Sequence, residues 1–497
     1  MERMLRPGHN CWKIARADRF VLLIDGANYY HNLAAAFERA RRSIAVVGWD
    51  LDTRIRLFQA AHAWQRGPRL RHFLQRLVRR NRDLNIYILN WNFPLIFANA
   101  RDPNLLFDRP FRHSRIQFQF DNTHAAGASH HQKIVVVDDG LAFAGGMDIA
   151  AGRWDTQEHR AHDSRRSSRR DCYPPSHDVQ AMMDGDAAHS LAEIVRDRWR
   201  RATGDCMPDV RSADIWPSAV QPDVTNVDVA ISRTDRQNGH DQQIENLHLD
   251  LIAAAREFIY IENQYLTSEL IVAALGERLQ QIDGPEILIV LPLNNFGWLE
   301  AHTIEILRVR SIQRLRQMDR FHRLRIMCPV VPDMDGRSVG VHSKLLIVDD
   351  RLMRIGSSNL TNRSMRVDTE CDLTIEAHSA AKRIAVAGWR NRLLAEHLGM
   401  SEKQVRDFLS SERSLLRLVD SRRGHARYLR EIPDKHSTEE MVLGAELADP
   451  HKPLTANVVI EALATSVKQQ PVRRLLPLAL AFGGAAAVLT LVVLRRR

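Results

Sequence analysis

The 497-residue chain, 44% hydrophobic, is long enough to bury a large core and to divide into about two to four domains. Its 70 Lys and Arg against 60 Asp and Glu give a net charge of +10, which favours anionic partners, nucleic acid or an acidic membrane surface, without choosing between them. Five scattered cysteines without C-x-x-C spacing (Cys11, Cys172, Cys206, Cys328 and Cys371) exclude a disulfide framework or a cysteine zinc motif and suit a reducing compartment.

Residues 1–19 are charged and hold no apolar run, so no secretory signal is expected. The apolar run 20–24, closed by Asp25-Gly26, predicts a strand and a turn. A helix is expected over 31–42 and a buried strand over 43–50. An amphipathic helix over 69–80 presents Leu70, Phe73, Leu74 and Leu77 on one face. Strands at 84–89 and 116–120 follow. The same order then returns: helix 244–256, strand 258–265, helix 270–281, strand 286–291, a long basic helix 303–319 and a strand at 324–327. Equivalent positions stand about 211 residues apart, which marks an internal duplication. Strands alternating with helices predict the α/β class. Two similar α/β halves, 20–205 and 225–400, are expected to form one pseudo-twofold body, monomeric with both halves in one chain. Beyond the first motif, 158–171 reads as a solvated Arg-rich loop. Residues 401–472 read as a polar tail. Residues 475–494 carry no charge over 20 positions and have arginines on both sides. That run is long enough for a transmembrane helix, with a single-pass C-terminal anchor and a cytoplasmic catalytic part as the simplest topology.

Two stretches carry the chemistry. Ser129-His130-His131-Gln132-Lys133 runs into four apolar residues and Asp138, and Val341-His342-Ser343-Lys344 runs into four more and Asp349. Both read H-x-K-x-x-x-x-D. In an extended chain positions i and i+2 share a face, so each histidine projects with its lysine. Six residues separate each aspartate from a small-residue turn, Gly145-Gly146-Met147-Asp148 and Gly356-Ser357-Ser358-Asn359. One H-x-K is weak; two with the same spacer and turn point to a shared site. A phosphodiester needs its charge offset, a nucleophile, and a proton for the leaving alkoxide. Two histidines can divide attack and proton transfer, one forming a covalent phosphohistidine, while Lys133 and Lys344 hold the non-bridging oxygens. Asn359 can donate to the phosphate. Asp148 cannot unless protonated, and fits a tuning role. Asp138 and Asp349, beyond the buried run, read as anchors of the strand ends.

The paired motif resembles the signature of the phospholipase D superfamily, over roughly residues 20–400. Gly152-Arg153-Trp154-Asp155, His177-Asp178-Val179 and Asn362-Arg363-Ser364-Met365 with Asp368 and Glu370 are similar to the family's other patterns. The resemblance implies an acid holding each histidine, crossed between halves: Glu370 on His131 and Asp178 on His342. It implies His131 as nucleophile and His342 as acid, with Gly146, Asp148, Ser357 and Asn359 around the substrate. The expected activity is hydrolysis of membrane glycerophospholipids to phosphatidate, with water or an alcohol as acceptor and neither metal nor cofactor. Alternatives are a cardiolipin-synthase-like transferase, a nuclease of the same superfamily, although nucleic acid is the less favoured partner, and a non-catalytic interaction protein.

Overall fold

The computed structural model describes residues 3–60, 66–92, 111, 113–125, 127–168, 171–210, 214–239, 242–294, 304–434 and 448–453. The first half supplies β1 (Lys13–Ile24), α1 (Asp25–Arg39), β2 (Ser43–Gly48), α2 (Leu70–Arg80), β3 (Asn85–Trp91), β4 (Ile116–Asp121), β5 (Ile134–Val137), β6 (Leu141–Gly145), β7 (Val179–Asp184) and α3 (Gly185–Thr203). The second supplies β8 (Val224–Thr234), α4 (Gln243–Ala254), β9 (Phe258–Glu262), α5 (Glu269–Gln280), β10 (Glu286–Val290), α6 (Ile304–Met318), β11 (Leu324–Val330), β12 (Leu345–Val348), β13 (Leu352–Gly356), α7 (Asn362–Arg366), β14 (Glu370–Glu376) and α8 (Ala380–Leu398). It is followed by α9 (Glu402–Glu412), α10 (Leu415–Ser421) and β15 (Tyr428–Glu431).

Among the described residues fifteen strands form one mixed sheet in the order β15-β11-β10-β9-β12-β13-β14-β8-β1-β7-β6-β5-β2-β3-β4. Read outward from the central antiparallel pair β1–β8, registered from Lys13↔Ile231 to Phe20↔Val224, the two flanks repeat each other: β7 matches β14, β6 matches β13, and β5 matches β12. Alternation along β1 explains the layers. Phe20, Leu22 and Ile24 face a core that runs across both halves under α3 and α8. Val21 and Leu23 face the opposite side, where α1 and α2 cover the first half. Helices α4, α5 and α6 cover the second half on that same side. The result is three layers, helix over sheet over helix.

The expected transmembrane helix is corrected. No helix among the described residues is long and apolar enough to cross a membrane, and residues 475–494 lie outside the described part. The two longest described helices show the physical reason. Helix α3 carries Glu193, Arg196, Asp197, Arg200 and Arg201, and α8 carries Lys382, Arg383, Arg390, Arg392 and Glu396. Both bury one face on the sheet and keep most of this charge at least partly exposed, Arg390 and Glu396 being buried. The expected localisation at a membrane through a single-pass anchor is overturned by the same finding. Part of the stretch read as a polar tail packs on the second half. Strand β15 pairs with β11 from Met327↔Glu431 to Val330↔Tyr428, Leu415, Leu416, Leu418 and Val419 of α10 join the shared core, and buried Asp449 accepts from the Arg363 N–H at 2.8 Å.

Candidate active site

Each motif enters the site as an extended segment just ahead of a strand. Strand β5 begins at Ile134 and β12 at Leu345, so the His-Lys pairs precede the strands they were expected to sit in. What holds them extended is the opposite half. The His131 N–H donates to the Thr369 carbonyl and the Thr369 N–H to that of Ser129, both at 2.9 Å. Gly340–Val341 pairs with Ser176–His177, and the His342 N–H donates to the His177 carbonyl at 2.8 Å.

That mutual clamp brings each histidine to a carboxylate from across the molecular centre. His131 Nδ1 lies 3.1 Å from both oxygens of Glu370, and His342 Nδ1 lies 2.7 Å from Asp178 Oδ2. Glu370 and Asp178 are buried, and burial raises the pKa of both. The hydroxyls of Ser357 and Ser364 donate to Glu370, that of Ser364 at 2.7 Å. Gly146 lies against Asp178: a Cβ there would stand 2.3 Å from Asp178 Oδ1. With each Nδ1–H spent on a carboxylate, both Nε2 atoms are left for chemistry.

Lys133 Nζ donates to the His131 carbonyl at 2.9 Å and pairs with Asp148 Oδ2 at 3.3 Å. Lys344 Nζ donates to the His342 carbonyl and to Gln264 Oε1, the latter at 3.2 Å. Burial, then Lys133 and Lys344, hold His131 well below its ordinary pKa. Burial, then Arg153, Lys344, Lys133 and His131, do the same to His342. Each imidazole thus feels the lysine of the other half, so the two motifs form one electrostatic site. Burial also lowers Lys344 to about 7, opposed by Asp178 and reinforced by Lys133 and Arg153.

The remaining predicted residues divide. Asp148 is fully engaged: besides Lys133, it accepts the N–H groups of Trp49 at 2.9 Å and Asp50 at 3.2 Å. Burial opposes its ionisation, yet Lys133 and Arg153 hold its pKa below the ordinary value. Asn359 donates its backbone N–H to Ser364 Oγ at 3.1 Å, and its buried side-chain oxygen has no hydrogen-bond partner among the described residues. Asp138 and Asp349 lie away from the imidazoles. Asp138 accepts the N–H groups of Arg41, Arg42 and Ser43, each at 2.7 Å. Asp349 accepts those of Arg256, Glu257 and Phe258 at 2.7, 2.8 and 2.9 Å. Both carboxylates therefore tie down the start of the neighbouring strand in the same way. Three residues were missed as site members: Arg153, a third cation felt by His342 and both lysines; Ser364, on Glu370; and Gln264, on Lys344. Arg153 and Ser364 stand inside quoted patterns, but only the fold reveals what they face. Beside the second motif a cavity of about 640 Å³ is lined by Ala161, Tyr173, Pro174, Pro292, Met334 and Gly340, among others.

Two family models match the chain: one described as phospholipase D over residues 109–216, the other as cardiolipin synthase, PLD-like domain, over 248–387. Among curated relatives, phospholipase D A of Dictyostelium discoideum is 25% identical over 459 residues, and phospholipase D1 of Schizosaccharomyces pombe 23% identical over 514. Each alignment covers 76% of this chain and 35% of the relative, so the chain spans about a third of those proteins. A crystal structure of phosphatidylserine synthase from Haemophilus influenzae Rd KW20 superposes with a TM-score of 0.53 at 15% identity, covering 80% of this chain and 94% of that one. At that identity the likeness is one of fold.

Proposed function

We propose that this chain, which belongs to the phospholipase D superfamily, is a phospholipase D-type phosphodiesterase that cleaves glycerophospholipids to phosphatidate and a free head group. The observation that carries the proposal is the crossed pairing of Glu370 with His131 and Asp178 with His342.

His131 Nε2 attacks phosphorus and forms an N–P bond as the bond to the head-group oxygen breaks, with the leaving alkoxide protonated by His342. Glu370 fixes the His131 tautomer and stabilises the positive ring of the phosphohistidine. Burial, and then the cations around His342, hold its pKa down. A phosphodiester anion arriving among Lys133, Lys344 and Arg153 offsets that field, so substrate binding itself favours the protonated acid. His342 then takes a proton from water, or from an alcohol in transphosphatidylation, and the N–P bond breaks. Lys133, held by Asp148, and Lys344, held by Gln264, bind the non-bridging oxygens as point charges. The amide of Asn359 supplies a further hydrogen bond, and Ser357 and Gly146 keep the two carboxylates seated. The described steps use only side chains of this chain. The likeness to phospholipases D favours a lipid substrate over a nucleic acid.

The test is to incubate the full chain with labelled phosphatidylcholine or phosphatidylethanolamine vesicles, with and without ethanol, and separately with single-stranded DNA. Phosphatidate without ethanol and phosphatidylethanol with it are expected. Cleaved DNA with untouched lipid would overturn the lipid assignment.

A further inference from the structure

Behind His342, and outside the groups that would touch substrate, lies a second buried cluster. Asp25 closes β1, His159 and His177 come from the loops before β7, and Glu396 comes from α8 of the other half. Their four ligand-capable atoms lie within 4.8 Å of one another. The His177 Nδ1 stands 2.7 Å from Glu396 Oε1 and 3.1 Å from Asp25 Oδ1. The His159 Nε2 stands 3.0 Å from Glu396 Oε1 and 3.6 Å from Asp25 Oδ2. Four ligands on bonds of about 2.0–2.1 Å around a tetrahedral ion are separated by roughly 3.3 Å, which falls within this spread.

Two further observations point to a ligand. First, the outer nitrogen of each ring is committed elsewhere: His159 Nδ1 lies 2.9 Å from Asp155 Oδ2, and His177 Nε2 lies 2.9 Å from Glu262 Oε2. Those carboxylates hold the outer nitrogens and turn His159 Nε2 and His177 Nδ1 towards the cluster, the arrangement that carboxylates give to metal-bound histidines. Second, both oxygens of Asp25, Nδ1 of His177 and Oε2 of Glu396 are buried without a properly aligned hydrogen bond, despite the short separations. Such groups are costly to leave unmade. They face one another within the cluster, where His159 Nε2 and Glu396 Oε1 also make a hydrogen bond of 3.0 Å. Once both rings give up their ligating protons on binding, the two carboxylates carry two negative charges, which a divalent cation would neutralise.

We propose that Asp25, His159, His177 and Glu396 form a closed four-ligand site for a divalent transition metal of the zinc class. Nitrogen and carboxylate donors in a two-and-two set suit such an ion, and no position is left open for substrate. The site joins the two halves. It also braces the acid: the Asp25 N–H donates to the Asp178 carbonyl at 2.8 Å, and the His177 carbonyl accepts from His342. The ion is therefore structural and positioning, and the proposal stands independently of the phosphodiesterase assignment.

Metal content of the purified full chain, passed over chelating resin, is the direct test. About one zinc per chain is expected, and stripping it with a strong chelator should lower the melting temperature by roughly 5 °C or more, restored on adding zinc. Cobalt in its place should give the visible absorption of four-coordinate cobalt without a thiolate charge-transfer band. His159→Asn and Glu396→Gln should each lose the bound equivalent. Sub-stoichiometric uptake of both zinc and cobalt, a thiolate band, or full retention by both variants would overturn the site. Should the variants fail to fold, the cobalt spectrum of the unaltered chain decides.

Discussion

At the scale of single residues, the candidate chemistry rests on imidazoles whose Nδ1 atoms are occupied and whose Nε2 atoms have no hydrogen bond among the described residues. His131→Ala and His342→Ala are each expected to lower kcat by at least about 10³-fold. Only the His342 variant retains the group that bonds to phosphorus, so rapid quench with radiolabelled lipid should find acid-labile phosphoenzyme there and none in His131→Ala. Glu370→Gln keeps the shape but lets the His131 ring adopt the wrong tautomer. A fall in kcat on the order of 10²-fold or more with little change in KM is expected. Lys344 loses its charge as pH rises through about 7. The free enzyme should therefore lose kcat/KM above that pH, while kcat itself stays flatter, because bound phosphate raises the lysine's pKa. A profile of kcat/KM from pH 6 to 9 checks this, and a flat profile would remove Lys344 from phosphate binding. At Gly146, a Cβ would stand 2.3 Å from Asp178 Oδ1. Gly146→Ala should thus cost activity through His342 more than it costs stability, measured by comparing kcat with the melting temperature.

At the scale of elements, Asp138 and Asp349 each sit in the left-handed backbone region, with φ of 48° and 51°, and each gathers three backbone N–H groups. Asp138→Ala would leave three donors at the start of β2 without a carboxylate, Asp349→Ala three at the start of β9. Losing charge-assisted bonds of this kind is expected to cost about 2–4 kcal/mol in each half, read from chemical denaturation midpoints at unchanged slope. The equality of the two effects is itself a check, because the construction is the same in both halves. The small-residue turns after β6 and β13 serve the elements differently: one seats Asp178 against Gly146, the other brings Ser357 to Glu370.

Across the whole molecule, the site exists only because β1 and β8 join two flanks into one sheet and one core runs beneath both. Each half holds a histidine and the carboxylate for the other half's histidine. Neither half pairs its motif histidine with a carboxylate of its own. The shared core also predicts that the halves unfold together, as one endotherm in differential scanning calorimetry instead of two separated ones. Two resolved transitions, with the first leaving one half folded, would contradict that coupling.

The sequence by itself determined the element order, the duplication and the choice of candidate reacting side chains, because hydrophobic periodicity and a repeated H-x-K-x-x-x-x-D are local properties of the chain. It also pointed to Glu370 and Asp178, through a family resemblance and not through spacing, since 239 residues separate His131 from Glu370. Tertiary structure alone decided the rest. Arg153, Ser364 and Gln264 acquire their partners across turns and strands that no periodicity links. The Asp25, His159, His177 and Glu396 cluster is scattered over 371 positions of the chain and meets only where two loops and a helix close behind the acid. The apolar C-terminal run shows the converse limit. Twenty uncharged residues satisfy a length criterion for spanning a membrane, but among the described residues apolar side chains are spent on one sheet and its two helical layers.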